Sequence, residues 1–192
     1  MGKRYHEPST GESSEWYTPR SVLDKIGLVY DLDPCAPPVD MRQHYCVPAK
    51  KVYTEQDDGL SQPWQGLVFE NAPWGEGRNK IVPWLEKFFE HANGVAICRA
   101  YTSSGWFHKV VVPNAELLLF PRGKTKFVRP DGSIGKAPGH GVIFLGMGEV
   151  ACNALRRSGL GFCVVPDPAI QRRIIRSSVT VSSIAQVREV AS

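Results

Sequence analysis

The 192-residue chain falls within the roughly 100–200 residues at which a single core closes, and 42% hydrophobic residues with five Trp and eight Phe exclude wholesale disorder. A formal net charge of +4 favours a polyanionic partner without requiring one. Five cysteines without CxxC spacing (Cys35, Cys46, Cys98, Cys152, Cys163) and five histidines without ligand spacing argue against a disulfide framework and a metal site, while no apolar run approaches the ~18 residues that span a bilayer.

Residues 1–14 are polar, with nothing apolar to anchor them, and are expected to form a flexible arm. Met1-Gly2-Lys3-Arg4-Tyr5-His6 has no following apolar region, so export is not expected. From Trp16 the chain becomes core-forming. Thr18-Pro19 predicts a helix start, with Thr18 as N-cap, Pro19 in the first turn, Val22, Leu23 and Ile26 on one face, and Gly27 as the stop.

Leu28–Leu32 predicts a buried strand that ends in Asp33-Pro34-Cys35. A shorter strand is expected near Lys51-Val52-Tyr53, followed by the turn Asp57-Asp58-Gly59. Gly66–Glu70 predicts a second buried strand running into Asn71-Ala72-Pro73-Trp74-Gly75, which cannot continue a sheet. Ile81, Leu85, Phe88, Phe89 and Ala92 follow at helical spacing up to Asn93-Gly94.

Further strands are predicted at 95–98, 115–120, 141–145 and 161–165, with helical stretches at 103–112 and 149–157. Between them lies the basic segment Arg122-Gly123-Lys124-Thr125-Lys126-Phe127. Strands alternating with helices predict an α/β sheet over residues 15–166, and residues 167–192 form a basic, Ser- and Val-rich tail outside it.

The sharpest constellation is Asn71-Ala72-Pro73-Trp74 at the carboxyl end of an apolar strand, where open α/β sheets bind ligands. An aromatic exocyclic amine is a poor nucleophile because its lone pair is delocalised into the ring. Acceptors for both of its N–H groups draw that pair back onto nitrogen. An Asn side-chain oxygen and the following backbone carbonyl supply two acceptors, the proline fixes the turn, and the tryptophan offers a ring on which a base can stack.

These residues are not alone. Glu15-Trp16-Tyr17-Thr18-Pro19, Asp31-Leu32-Asp33-Pro34-Cys35-Ala36, Asp57-Asp58-Gly59-Leu60 and Asn71-Ala72-Pro73-Trp74-Gly75 occur in an order and at spacings that resemble the phage-type DNA N6-adenine methyltransferases. The resemblance implies a single Rossmann-like methyltransferase domain, a mainly parallel sheet with helices on both faces, trimmed between the cofactor and catalytic motifs.

It implies transfer of a methyl group from S-adenosylmethionine to N6 of an adenine rotated out of DNA, by an enzyme of phage or prophage origin acting in the bacterial cytoplasm. On this resemblance Asn71, Ala72, Pro73 and Trp74 are the catalytic candidates. Tyr17, Thr18, Pro19, Asp31, Asp33, Pro34, Cys35 and Asp58 are the cofactor candidates. Arg122, Lys124, Lys126 and Arg129 are candidates for DNA phosphates, and Phe127 for stacking on the base. The partner implied is DNA, with no membrane and no metal; oligomeric state is not readable from the chain. One departure stands out: Ala72 occupies the position after Asn where the family usually carries proline, keeping the carbonyl but not the rigid ring. Cytosine-N4 methylation and a non-catalytic nucleic-acid-binding relative are the alternative readings.

Overall fold

The computed structural model describes residues 16–73, 80–135 and 140–167. The expected N-terminal arm, Trp74 and nearly all of the C-terminal tail lie outside the described residues. Helix α1, Arg20–Ile26, buries Val22, Leu23 and Ile26 and stops at Gly27, whose φ of 68° is the left-handed conformation glycine tolerates best. Thr18 is not its cap. Pro19 takes the N-cap position with no side-chain bond, so Thr18 sits one residue too early, and its hydroxyl is buried without a hydrogen-bond partner.

Among the described residues seven strands follow: β1 Tyr30–Asp33, β2 Ala49–Val52, β3 Val68–Glu70, β4 Gly94–Arg99, β5 Leu117–Pro121, β6 Val142–Met147 and β7 Gly161–Val164. They form one sheet in the order β2-β1-β3-β4-β6-β5-β7. The contacts β1–β2, β1–β3 and β3–β4 are parallel, while β4–β6, β5–β6 and β5–β7 are antiparallel. Strands β1 to β5 therefore run one way and β6 and β7 the other, so the sheet is parallel in the part from β2 to β4 and antiparallel beyond it, where β6 inserts in reverse between β4 and β5 and β7 closes the edge. An apolar run such as Val142–Met147, buried along its whole length, reads the same in either direction.

Side chains alternate between two cores. Val68, Ala96, Cys98, Ile143 and Leu145 pack with Leu85 and Phe88 of helix α2, Val82–His91, and with Phe107 and Val111. On the other face Phe69, Val95, Ile97, Leu119 and Phe144 meet α1 and Ala151, Cys152 and Leu155 of helix α4, Glu149–Arg157. Helices thus cover both faces, as expected. The predicted helix at 103–112 is wound more widely: Phe107–Val111 is a π-turn that leads into the short α3, Val112–Asn114. Pro113 has no N–H to return to the preceding turn.

Strand β1 lies between β2 and β3, so the chain leaves it toward one side and returns on the other. Such a reversal opens a crevice beyond the carboxyl ends of the strands. The connections β1–β2 and β2–β3 carry only the 3-10 turns Val39–His44 and Glu55–Asp57, with no α-helix. Asp33 and Glu70, the last residues of β1 and β3, therefore reach the same edge, with Leu32 and Val68 in register.

Candidate active site

At the end of β1, Asp33 is only 2% exposed. It accepts hydrogen bonds from the Cys35 amide at 2.8 Å and the Tyr45 hydroxyl at 2.7 Å. Burial pushes its carboxyl up to about 6, against the pull of those two bonds and the Arg42 charge. Beside it a Cβ on Gly59 would stand 2.2 Å from the Pro34 carbonyl oxygen, so glycine lets the Asp58-Gly59 turn close over the end of β1. Asp58 is exposed there at a φ of 51°.

Asp31 belongs elsewhere. Its carboxylate binds Lys50 of β2 at 2.8 Å and accepts from the Leu67 amide at 2.8 Å, and these bonds hold it below the usual carboxylate range. It ties β1 to β2 and to the residue that leads into β3, which leaves Asp33 as the acid at the end of β1.

The neighbouring strand ends in a second buried acid. Glu70 is 0% exposed, and neither carboxylate oxygen has a hydrogen-bond partner. Burial, then the nearby Asp33 charge, raises it to about 8; the Ala72 amide pulls the other way without reaching hydrogen-bond geometry. The next residue, Asn71, donates its side-chain Nδ2–H to the Trp16 carbonyl at 2.9 Å, which leaves Oδ1 as the acceptor. Ala72 is 3% exposed and packs into the core on the α2 face, so packing takes over part of the stiffening that proline would supply. Pro73 is exposed.

Trp16-Tyr17-Thr18 closes the site from the third side. Tyr17 and Val128 exchange backbone hydrogen bonds of 2.8 and 2.9 Å, and the Tyr17 hydroxyl donates to the Met41 carbonyl at 2.8 Å. The Tyr17 ring meets Tyr45 edge-on at 6.3 Å. Arg129 lies 5.4 Å from the Trp16 ring centroid, and a Cβ on Gly135 would strike that ring at 2.3 Å. Tyr17, Thr18, Asp33, Pro34, Cys35, Asn71 and Ala72 are thus brought together. Trp16, quoted in the sequence within the first matching motif but given no role there, joins them, as do Tyr45 and Glu70, which were not singled out. Of those two, Glu70 carried a signal, as an acid closing an otherwise apolar strand.

The basic segment leaves β5 at the same sheet edge. Arg122, Lys124 and Lys126 are exposed and, with Lys25 and Ser21 of α1, line a concavity of about 360 Å³ whose wall holds no acidic side chain among the described residues. A second concavity, of about 480 Å³ around Glu116 and Glu149, lies at the opposite edge of the sheet, away from Asn71. Phe127 corrects the expectation for it: at 3% exposure it packs with Val22, Leu23 and Phe144, so its ring is committed to the core and offers no face to a base. Among the described residues no cluster of His, Cys, Asp or Glu could hold a metal ion, and no helix is long and apolar enough to cross a membrane.

Residues 8–141 match the family model described as DNA N-6-adenine-methyltransferase (Dam). No curated protein and no solved structure matches the chain. The matched span takes in both acids, the Asn71 corner and the basic segment, and it covers well over half the sequence. The chain belongs to the DNA N-6-adenine-methyltransferase family: it is an adenine-specific DNA methyltransferase of the S-adenosylmethionine-dependent kind.

Proposed function

We propose that this protein is a Rossmann-like methyltransferase whose cofactor lies against Asp33, Pro34, Cys35 and the Tyr17-Thr18-Pro19 segment, with Asp58 at the rim, and whose target adenine is held by Asn71 and Ala72. The charge of the crevice supports the cofactor's place. S-adenosylmethionine carries an ammonium and a sulfonium against one carboxylate, a net positive charge. Asp33 and Glu70 are two buried carboxyls without an ion pair among the described residues. Uncompensated buried acids are costly, and a cationic ligand removes that cost. When bound, the cofactor supplies an electrophilic methyl group.

The chain's own residues prepare the acceptor. An adenine rotated out of the duplex presents two N6–H donors; Asn71 Oδ1 takes one and the Ala72 carbonyl the other, which raises electron density on N6. The observation that carries this reading is the Asn71–Trp16 hydrogen bond, since it turns the amide oxygen away from Trp16 and makes it available. Trp74 follows in sequence as a stacking ring, and Arg122, Lys124, Lys126 and Arg129 carry the charge that phosphates need. A phage or prophage enzyme acting in the bacterial cytoplasm is the setting that fits the family.

Calorimetric titration of S-adenosylmethionine tests the cofactor assignment. The unaltered protein should bind, and Asp33→Asn should bind about tenfold more weakly, the loss typical of a hydrogen bond to a charged group. Equal affinity would remove Asp33 from the cofactor site.

A further inference from the structure

Strand β4 overhangs the Asn71 corner. Glu70 stands opposite Ala96, yet β4 continues to Arg99, three residues or about 10 Å further past the carboxyl edge. There Tyr101 is 41% exposed, with the Arg99 guanidinium 5.8 Å from its ring centroid and the His140 ring edge-on at 5.2 Å. The backbone beneath is fixed: the Ser104 amide and hydroxyl donate to the Tyr101 carbonyl at 2.9 and 2.7 Å, and the Ala100 amide to Gly141 at 2.8 Å.

Burial first, then the Arg99 and Lys124 charges, hold the His140 imidazole below its ordinary range. The buried acids Asp33 and Glu70 thus lie at the ends of β1 and β3, and the basic side chains Arg99 and Lys124 lie further along the same edge, at the end of β4 and just past β5. A cationic cofactor and a polyanionic substrate would meet at Asn71, where the two halves join.

We propose that Tyr101 is the stacking platform for a DNA base next to the target adenine, with Arg99 and Lys124 neutralising the phosphates beside it. This rests on the reading that the target sits at Asn71. Rotating a base out of the duplex strips its neighbours of a stacking partner, and a fixed aromatic face flanked by cations replaces what they lose. Phe127 cannot serve because its ring is enclosed; Tyr101 has an open one.

The test measures binding of an unmethylated, fluorescently labelled duplex DNA of mixed sequence by the full chain over a range of salt. Tyr101→Phe keeps the ring and should bind within about twofold of the unaltered protein, whereas Tyr101→Ala and Tyr101→Leu should both weaken binding about tenfold or more with the salt slope unchanged. Lys124→Gln should instead lower the slope by about one. Retained S-adenosylmethionine affinity in each variant shows that the fold is intact. Tyr101→Ala and Tyr101→Leu binding as tightly as the unaltered protein, or Tyr101→Phe falling as far as they do, overturns the proposal. Failure of the underlying reading is distinguishable, because Asn71→Ala would then still methylate DNA while the Tyr101 variants behave as stated.

Discussion

Asn71 at the end of β3 donates its amide to the backbone carbonyl of Trp16, 55 residues earlier, at 2.9 Å. The bond fixes which end of the amide is turned to Trp16 and leaves Oδ1 on the other side, and Trp16 is itself fixed by Arg129 and by the close approach of Gly135. A side chain whose two ends look alike sterically is thus given one orientation by a backbone group that no side-chain substitution can delete.

The two buried acids make stability fall with pH. Glu70 is raised from 4.5 to about 8 and Asp33 from 3.8 to about 6, so the folded state holds protons that the unfolded state has released. Their contribution is fully present below the ordinary carboxyl values and is lost as pH rises through about 6 for Asp33 and about 8 for Glu70. The Tm of the ligand-free protein should therefore drop from about pH 4 to about pH 8, from the ordinary carboxyl values up to the raised ones. Glu70→Gln should flatten the upper half of that curve; an unchanged pH dependence would show that Glu70 is ionised throughout.

In the proposed cofactor site, Tyr45 would act on the cofactor through Asp33, to which its hydroxyl donates. Removing its hydroxyl with Tyr45→Phe deletes the 2.7 Å bond that favours the ionised carboxylate, so Asp33 should titrate higher still. S-adenosylmethionine affinity should fall about tenfold near neutral pH and recover at higher pH. A pH-independent loss would mean that Tyr45 only shapes the wall.

How much of this was legible beforehand depends on whether the information is local. The strand at 66–70, the helix from Ile81 and the stop at Gly27 follow from apolar runs and turn chemistry within a few residues, and all are present. The direction of β6 was not legible, because a strand buried on both faces carries no mark of which neighbour it pairs with. Asn71 and Asp33 stood out by their chemistry at strand ends. Tyr45 did not, and Trp16 did so only as part of a motif without a role, since each joins the site through a contact that exists only once the sheet has closed. Asp31 and Phe127 carry suitable chemical groups, but the fold spends one on Lys50 and Leu67 and the other on the core.

Phe127 offers a direct check of that last point. As a core residue it should tolerate Phe127→Leu with near-normal methylation, while Phe127→Ala should lower stability by about 3–5 kcal/mol, seen as a reduced denaturation midpoint. A stable Phe127→Leu protein that binds DNA but cannot methylate it would restore the stacking role.

The charged rim of the concavity should act on DNA through salt. Replacing Arg122 and Lys126 together with glutamine should weaken DNA binding to a similar degree on every sequence and reduce the salt slope by about two. An unaltered slope would place the phosphates elsewhere.

The most direct measurement is the N6-methyladenine content of DNA, by mass spectrometry, in cells expressing the protein or its Asn71→Ala variant. The unaltered protein should deposit N6-methyladenine, and the variant should lose at least ~100-fold of the rate, the scale seen when one preorganised hydrogen-bonding group of an active site is removed. Equal N6-methyladenine from both would contradict the assignment of Asn71 as the group that grips the target amine.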